Sequence, residues 1–165
     1  WIVRGTPLMI QLLIIYYFPG LVLGKTIWGG GETGRFMAAA VSFIFNYACY
    51  FSEIYRGGIQ SVPKGQEEAG LVLGMTKAQI FFKVTLLQMI KRIVPPMSNE
   101  IITLVKDTSL AFVLAVTEMF TMAKQIAAAQ TSMVPYIAAG IFYYVFNLLV
   151  AMIMEKIEEK LNYYH

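Results

Sequence analysis

Six residues with charged or strongly hydrogen-bonding side chains lie within or beside the apolar runs of this 165-residue chain. They are Asn46, Glu53, Asn99, Glu100, Lys106 and Asp107. An ionisable group at membrane depth is costly unless it faces a cavity or a partner, so such residues mark candidate solute routes. The carboxylates suit an amino group or a cationic side chain, and Lys106 suits a carboxylate. We therefore predict that some of them line a path for a polar solute.

The spacing of these residues is compatible with shared helix faces. Glu100 and Asp107 are seven residues apart, as are Asn46 and Glu53. Residues at this spacing lie on one face of an uninterrupted helix. The prediction of a common route therefore requires helices that continue unbroken through both pairs.

The same residues also fit a purely structural role. In this alternative, Lys106 pairs with a carboxylate and stabilises a helix break. Glu53 pairs with Arg56, one helical turn further along. The residues by themselves do not separate the two roles, and both stay open at this point.

The sequence contains no arrangement that is typical of catalysis or metal binding. Cys49 is the one cysteine and lies in an apolar run, which suits a small buried side chain. His165 is the one histidine and ends the chain, so a metal site has too few ligands. A glycine-rich loop that would cradle ATP phosphates is also missing from the sequence. We predict no catalytic residue, no metal site and no cofactor bound by this chain.

The composition indicates a bilayer as the solvent. The chain is 58% hydrophobic and 14% charged, with a mean hydropathy of +0.61, whereas a soluble domain is about a quarter charged. The net charge of +3 comes from short basic clusters between apolar runs. No basic face with interleaved aromatic residues is present, so nucleic-acid binding is excluded. The predicted fold class is an all-α membrane protein.

About four membrane crossings are predicted from the apolar runs. They cover residues 7–24, residues 36–55, a stretch that begins near residue 94, and residues 133–154. A glycine-rich loop is expected at residues 25–35. Pro95 and Pro96 predict one helix break, and a second is expected within residues 106–109. Residues 118–132 are amphipathic and are predicted to form a connecting helix.

Basic residues set the predicted orientation. Placing residues 56–92 and the C-terminus in the cytoplasm collects nine Lys and Arg residues on that side and leaves four elsewhere, which fits the positive-inside rule. The nine are Arg4, Arg56, Lys64, Lys77, Lys83, Lys91, Arg92, Lys156 and Lys160. A long polar loop between the second and third crossings then lies in the cytoplasm.

This loop carries the most informative motif. Residues 65–74 read Gly-Gln-Glu-Glu-Ala-Gly-Leu-Val-Leu-Gly. They resemble the signature of permease subunits of binding-protein-dependent ABC importers: Glu-Ala-Ala, three residues, Gly, nine residues, Ile, one residue, Leu-Pro. Glu68, Ala69 and Gly74 match, Val84 takes the place of the Ile, and Leu86 matches the Leu.

The motif departs from the family signature at two positions, whereas three further blocks of the chain support the resemblance. Gly70 replaces the second Ala, which loosens the helix by up to about 1 kcal/mol, and Leu87 replaces the Pro. Residues 4–11, 53–66 and 95–110 resemble, in the same order, the subgroup that takes up polar amino acids. The resemblance therefore covers nearly the whole chain.

The resemblance implies a fold and a docking element. Family members form a small helical bundle, commonly of five crossings, so one helix before the first is expected to be missing here. Residues 1–165 would form a single permease domain, and residues 57–84 within it a cytoplasmic coupling loop. In the family this loop docks into a cleft of an ATPase subunit.

Five residues of the loop are the candidate ATPase-coupling set. They are Gly65, Glu68, Ala69, Gly70 and Gly74. Ala69 and Gly70 are small enough for close approach to a partner. Glu68 near a helix start is favoured by the helix dipole and suits a basic partner residue. Gly74 permits a bend, so that the loop inserts as a knob.

The implied function is ATP-driven import of polar amino acids, with this chain as a subunit that is not itself an enzyme. The implied partners are a cytoplasmic ATPase dimer that uses ATP and Mg, an extracytoplasmic amino-acid-binding protein, membrane lipid, and a second permease, identical or related. The implied location is the bacterial cytoplasmic (inner) membrane, multi-pass, with a cytoplasmic C-terminus. The alternative functions are a membrane enzyme using Glu53, Glu100 and Asp107 as acid–base groups, and a passive channel. The residues do not tell which amino acid is carried.

Overall fold

The computed structural model describes residues 2–161, and every regular element in that range is helical. The α-helices are α1 (Leu8–Leu21), α2 (Gly31–Gln60), α3 (Lys64–Val72), α4 (Lys77–Ile80), α5 (Leu86–Asp107), α6 (Met119–Gln130) and α7 (Val134–Leu161). A π-helix, Phe81–Thr85, joins α4 to α5, and a 3-10 helix, Thr108–Leu114, follows α5. The all-α prediction is confirmed, whereas His165 lies outside the described residues.

Within residues 2–161, two helices are long and apolar enough to cross a bilayer. They are α2, with 30 residues, and α7, with 28 residues, and α1 is a shorter apolar helix. None of the most apolar stretch of α7 is buried within the chain. A helix that exposes so long an apolar stretch needs lipid or a protein partner around it. The predicted total of about four crossings stays a prediction.

The chain forms two compact units. Unit 1 holds the residues up to Cys49 together with Thr103–Leu149, and unit 2 holds Tyr50–Ile102 and the residues from Val150 onward. The prediction of one permease domain over residues 1–165 stays a prediction.

Unit 1 has a core built from small and aliphatic side chains. Its buried members are Leu12, Ala38, Ala39, Ala111, Leu114 and Val116. The α1 helix packs against the 3-10 helix through this core. Small residues on α2 let neighbouring backbones approach closely, as is usual where helices pack inside a membrane.

A tryptophan compensates for a proline inside α1. Pro19 has no N–H, so the carbonyl of Ile15 lacks its donor from within the helix. The indole Nε1 of Trp28 donates to that oxygen at 2.8 Å. The backbone N–H of Lys25 donates to the carbonyl of Pro19 at 3.0 Å. The connection between α1 and α2 is therefore folded back onto the end of α1.

We expect Trp28→Phe to lower the free energy of unfolding by about 1–3 kcal/mol, because the Ile15 carbonyl is left without a donor. Thermal unfolding in detergent measures the change. The control is the same substitution in a Pro19→Ala background, where the new backbone N–H serves Ile15 and the loss should be smaller. Equal losses in both backgrounds would show that Trp28 acts by packing alone.

Two boundaries differ from the sequence predictions. The loop predicted at residues 25–35 is wrong at its end, because α2 already begins at Gly31. Glu32 lies in the first turn, where the helix dipole favours a negative charge. At its other end α2 continues to Gln60, past the end of the crossing predicted at residues 36–55.

The break predicted at Pro95 and Pro96 is also wrong, because α5 runs through both prolines. Membrane helices tolerate proline where neighbouring groups hold the chain. Here Ile93 packs so closely against Gly58 of α2 that a Cβ at Gly58 would collide with it. Ser98 is buried and its hydroxyl bonds to the Glu158 carboxylate at 2.9 Å. The predicted end of the helix within residues 106–109 is confirmed, since α5 ends at Asp107.

Candidate coupling loop and transport route

The helical loop (residues 64–85) contains a glycine turn that its sequence encodes. Gly74 has φ +73°, a left-handed conformation that costs glycine little. Its N–H donates to the Leu71 carbonyl at 2.9 Å, and the Met75 N–H donates to the Gly70 carbonyl at 3.0 Å. This pair of bonds is a Schellman motif that ends α3. The bend predicted at Gly74 is confirmed, and it separates α3 from α4.

We expect Gly74→Ala to destabilise the end of α3 by about 1–2 kcal/mol, because a Cβ is strained at this φ. Hydrogen–deuterium exchange of the α3 amides measures the effect directly. Gly65→Ala is the matched control, since a Cβ at Gly65 meets open space and alanine favours helix. Unchanged exchange in Gly74→Ala, or equal acceleration in both variants, would contradict this account of the turn.

A capping box starts the second short helix of the loop. The Thr76 N–H donates to Gln79 Oε1 at 2.8 Å, and the Gln79 N–H donates to Thr76 Oγ1 at 3.3 Å. Each side chain therefore satisfies a backbone donor of the other residue. The helix then continues through the π-helix into α5.

Gly70 is the buried residue of α3, and it faces the chain itself. A Cβ at Gly70 would lie 2.7 Å from Cγ1 of Ile80, so the alanine that the family motif carries at this position does not fit this geometry without a shift. The sequence suggested that Gly70 allows close approach to a partner. The structure shows that the near neighbour is Ile80.

The other members of the predicted coupling set are exposed. Gly65, Glu68, Ala69 and Gly74 all lie on the accessible surface of the helical loop. The Glu68 carboxylate is therefore open to a partner, as docking requires. Their roles in coupling stay predictions.

In unit 1, Asn46 belongs to a closed hydrogen-bond network with α1. Asn46 is 5% exposed, and its Nδ2 donates to Gln11 Oε1 at 2.9 Å. Gln11 Nε2 in turn donates to the carbonyl of Val3 at 2.6 Å and to that of Thr6 at 3.0 Å. Sequence reasoning missed Gln11, although an amide inside a charge-free run was a signal for it.

Asp107 is tied to α2 through a tyrosine. The Tyr47 hydroxyl, on a side chain that is 5% exposed, donates to Asp107 Oδ2 at 2.8 Å. Asn46 and Tyr47 are neighbours on α2, and their hydrogen bonds join α2 to Gln11 of α1 and to Asp107 of α5. This arrangement fits the structural alternative for Asn46 and Asp107.

Lys106 is exposed at a cleft of about 340 Å³ in unit 1. The other lining residues are Ser109, Phe120, Tyr136, Ala139, Gly140 and Tyr143. Within residues 2–161, no carboxylate forms an ion pair with the Lys106 ammonium. The ion pair that the structural alternative required is therefore not formed by the described residues, and the ammonium faces an aromatic cleft.

An unsatisfied amide lies one helical turn from this cleft. Asn147 Nδ2 donates to the carbonyl of Tyr143 at 2.8 Å. The buried Oδ1 of Asn147 has no hydrogen-bond partner among the described residues. A buried acceptor of this kind is costly unless a donor reaches it.

The remaining route candidates lie in unit 2. Glu53 forms an ion pair with Arg56, as the structural alternative predicts. Asn99 is exposed on α5, and Glu100 beside it is half-buried. Both α2 and α5 are unbroken helices. Among residues 2–161, no group of three His, Cys, Asp or Glu side chains is placed to hold a metal ion.

Comparison with known proteins gives the family. The model of the binding-protein-dependent transport system inner membrane component matches residues 1–163. The chain belongs to this family. The permease is 40% identical to the L-cystine transport system permease protein of Bacillus subtilis, over 98% of this chain and 67% of that one. It is 38% identical to the arginine transport system permease protein of the same species, over 96% and 70%.

More distant relatives agree. The permease is 30% identical to the glutamine transport system permease protein of Escherichia coli K12, over 98% of this chain and 72% of that one. A crystal structure of an amino acid ABC transporter with histidines matches with a TM-score of 0.84 and 32% identity, over 96% of this chain and 72% of that chain. The family predicted from residues 65–74 and the flanking blocks is confirmed.

Proposed function

We propose that this permease imports polar amino acids across the bacterial cytoplasmic membrane, driven by a separate ATPase dimer. The observation that carries the proposal is the similarity, along nearly the whole chain, to permeases named for cystine, arginine and glutamine transport. The permease spans the membrane several times, with its C-terminus in the cytoplasm. It works beside an amino-acid-binding protein and a second permease, and the ATPase rather than this chain uses ATP and Mg.

The helical loop is the proposed contact with the ATPase. Its exposed charges, including Lys64, Glu67, Glu68 and Lys77, suit an aqueous compartment. The capping box and the glycine turn give the loop a defined shape. A pre-formed shape lowers the ordering cost of binding, so the loop suits a partner that must engage in every cycle.

The cleft at Lys106 is the proposed contact with the solute. Its volume of about 340 Å³ lies within the range of roughly 300–1,000 Å³ that is usual for small-molecule sites. The Lys106 ammonium suits the α-carboxylate of an amino acid. Asn46 and Asp107 then act mainly as braces, because Gln11 and Tyr47 engage them.

Co-purification tests the proposal at its first step. The permease is expressed with its cognate ATPase, captured by a tag on the permease, and assayed for ATP hydrolysis with and without loaded binding protein. We expect the ATPase to co-purify and the loaded binding protein to stimulate hydrolysis. Failure of the ATPase to associate would overturn the proposal. Hydrolysis that no amino acid stimulates would overturn its substrate class.

A further inference from the structure

One face of α3 is fastened to the helices that follow it. Gln66 and Gly70 are four residues apart and therefore lie on the same face of α3. Gln88 Nε2, in α5, donates to Gln66 Oε1 at 3.1 Å. Gly70 packs against Ile80, whose side chain is 2% exposed. The contacts at these two points join α3 to the rod that runs from α4 through the π-helix into α5.

The contact between Gly70 and Ile80 leaves no room for a methyl group. A Cβ at Gly70 would lie 2.7 Å from Cγ1 and 3.0 Å from Cδ1 of Ile80. Ile80 has little freedom to yield, because a β-branched side chain in a helix strongly prefers one rotamer. Its backbone is also fixed, since its N–H donates to the Thr76 carbonyl at 3.0 Å. An added methyl therefore pushes α3 away from the rod.

We propose that Gly70 and Ile80 are positioning residues for energy coupling. Their contact makes α3 and α5 move together when the ATPase displaces the helical loop. The inference rests on the proposed ATPase docking. It adds the contact through which a movement of the helical loop is transmitted to α5. Ile80 is continuous, through the π-helix, with the part of α5 that carries Asn99 and Glu100, so a displaced α3 moves these candidate transport residues through this contact.

The test uses the complete reconstituted complex and counts amino acid molecules imported per ATP hydrolysed. We expect Gly70→Ala to lower this ratio about tenfold, within the usual range of coupling between sites. ATPase co-purification should stay within about twofold of the wild type, because the exposed face of α3 is unchanged. The double variant Gly70→Ala/Ile80→Ala should recover most of the ratio, since its new methyl occupies space that the isoleucine vacates. A merely structural defect would lower yield and ATPase binding together.

Gly57→Ala is the matched control, because a Cβ at this helical glycine meets open space. Its ratio should equal that of the wild type. A wild-type ratio in Gly70→Ala would overturn the inference, as would a double variant no better than Gly70→Ala. If the Gly70→Ala variant accumulates poorly, the import ratio of the double variant Gly70→Ala/Ile80→Ala still tests the inference. Failure of the wild-type permease to bind the ATPase is a different result, and it removes the proposed function itself.

Discussion

Lys106→Met is expected to reduce amino acid uptake about 100-fold while leaving ATPase binding intact. Lys106 lines an aromatic cleft and forms no ion pair with a carboxylate of residues 2–161, so the proposed solute carboxylate would be its counter-charge. Lys106 is exposed in the free chain, but a bound solute would cover the ammonium, and removing one partner of such a covered charge pair costs roughly 2–5 kcal/mol. Uptake of labelled amino acid into proteoliposomes measures the loss, and co-purification measures ATPase binding.

Lys124→Met is the matched control for this prediction. Lys124 is also exposed in unit 1, and its ammonium lies 5.6 Å from the centre of the Phe112 ring, but it does not line the cleft. The same loss of positive charge should therefore leave uptake within about twofold of the wild type, as for most exposed substitutions. Equal losses in both variants would point to net charge instead of the cleft. Wild-type uptake by Lys106→Met would remove Lys106 from the route.

Glu68→Lys is expected to abolish stable association with the ATPase. The carboxylate is exposed in the middle of α3, where it is accessible to a basic residue of a partner. Reversal of its charge replaces attraction by repulsion, and like charges across an interface cost several kcal/mol. Pull-down at fixed salt, followed by quantitation of the bound ATPase, measures the effect.

Glu67→Lys is the matched control, because it makes the same change in net charge at the preceding residue, which is also exposed on α3. Glu67 lies outside the family motif, so its variant should keep the ATPase. If both variants bind as the wild type does, the helical loop is not the docking element. If both lose binding equally, the loop attracts its partner through general charge, without a specific role for Glu68.

Local sequence rules predicted much of the fold. The turn at Gly74 follows from the freedom of glycine, and the end of α5 near Lys106 follows from the loss of apolar character. The helix through Pro95 and Pro96 was not predictable in this way. Local rules break a helix at two prolines, whereas the structure holds it through Ile93 and Ser98, whose contacts lie far away in the sequence.

The candidate site was predictable in its members but not in their roles. Sequence alone selected Asn46, Lys106 and Asp107 together. Gln11 lies 35 residues from Asn46, and Tyr47 lies 60 residues from Asp107. Local sequence patterns do not predict hydrogen bonds between residues so far apart in the chain. Gly70 is similar. The motif suggested a partner-facing glycine, and only the placement of Ile80 shows the contact that Gly70 makes within the chain.

The central claim is ATP-driven import, and uptake by proteoliposomes tests it most directly. Permease, ATPase and loaded binding protein are reconstituted, with either ATP or a non-hydrolysable analogue on the ATPase side. We predict accumulation of labelled amino acid against its gradient with ATP and none with the analogue. Equal uptake with both nucleotides, or uptake by the permease alone, would instead show a passive channel and contradict the account.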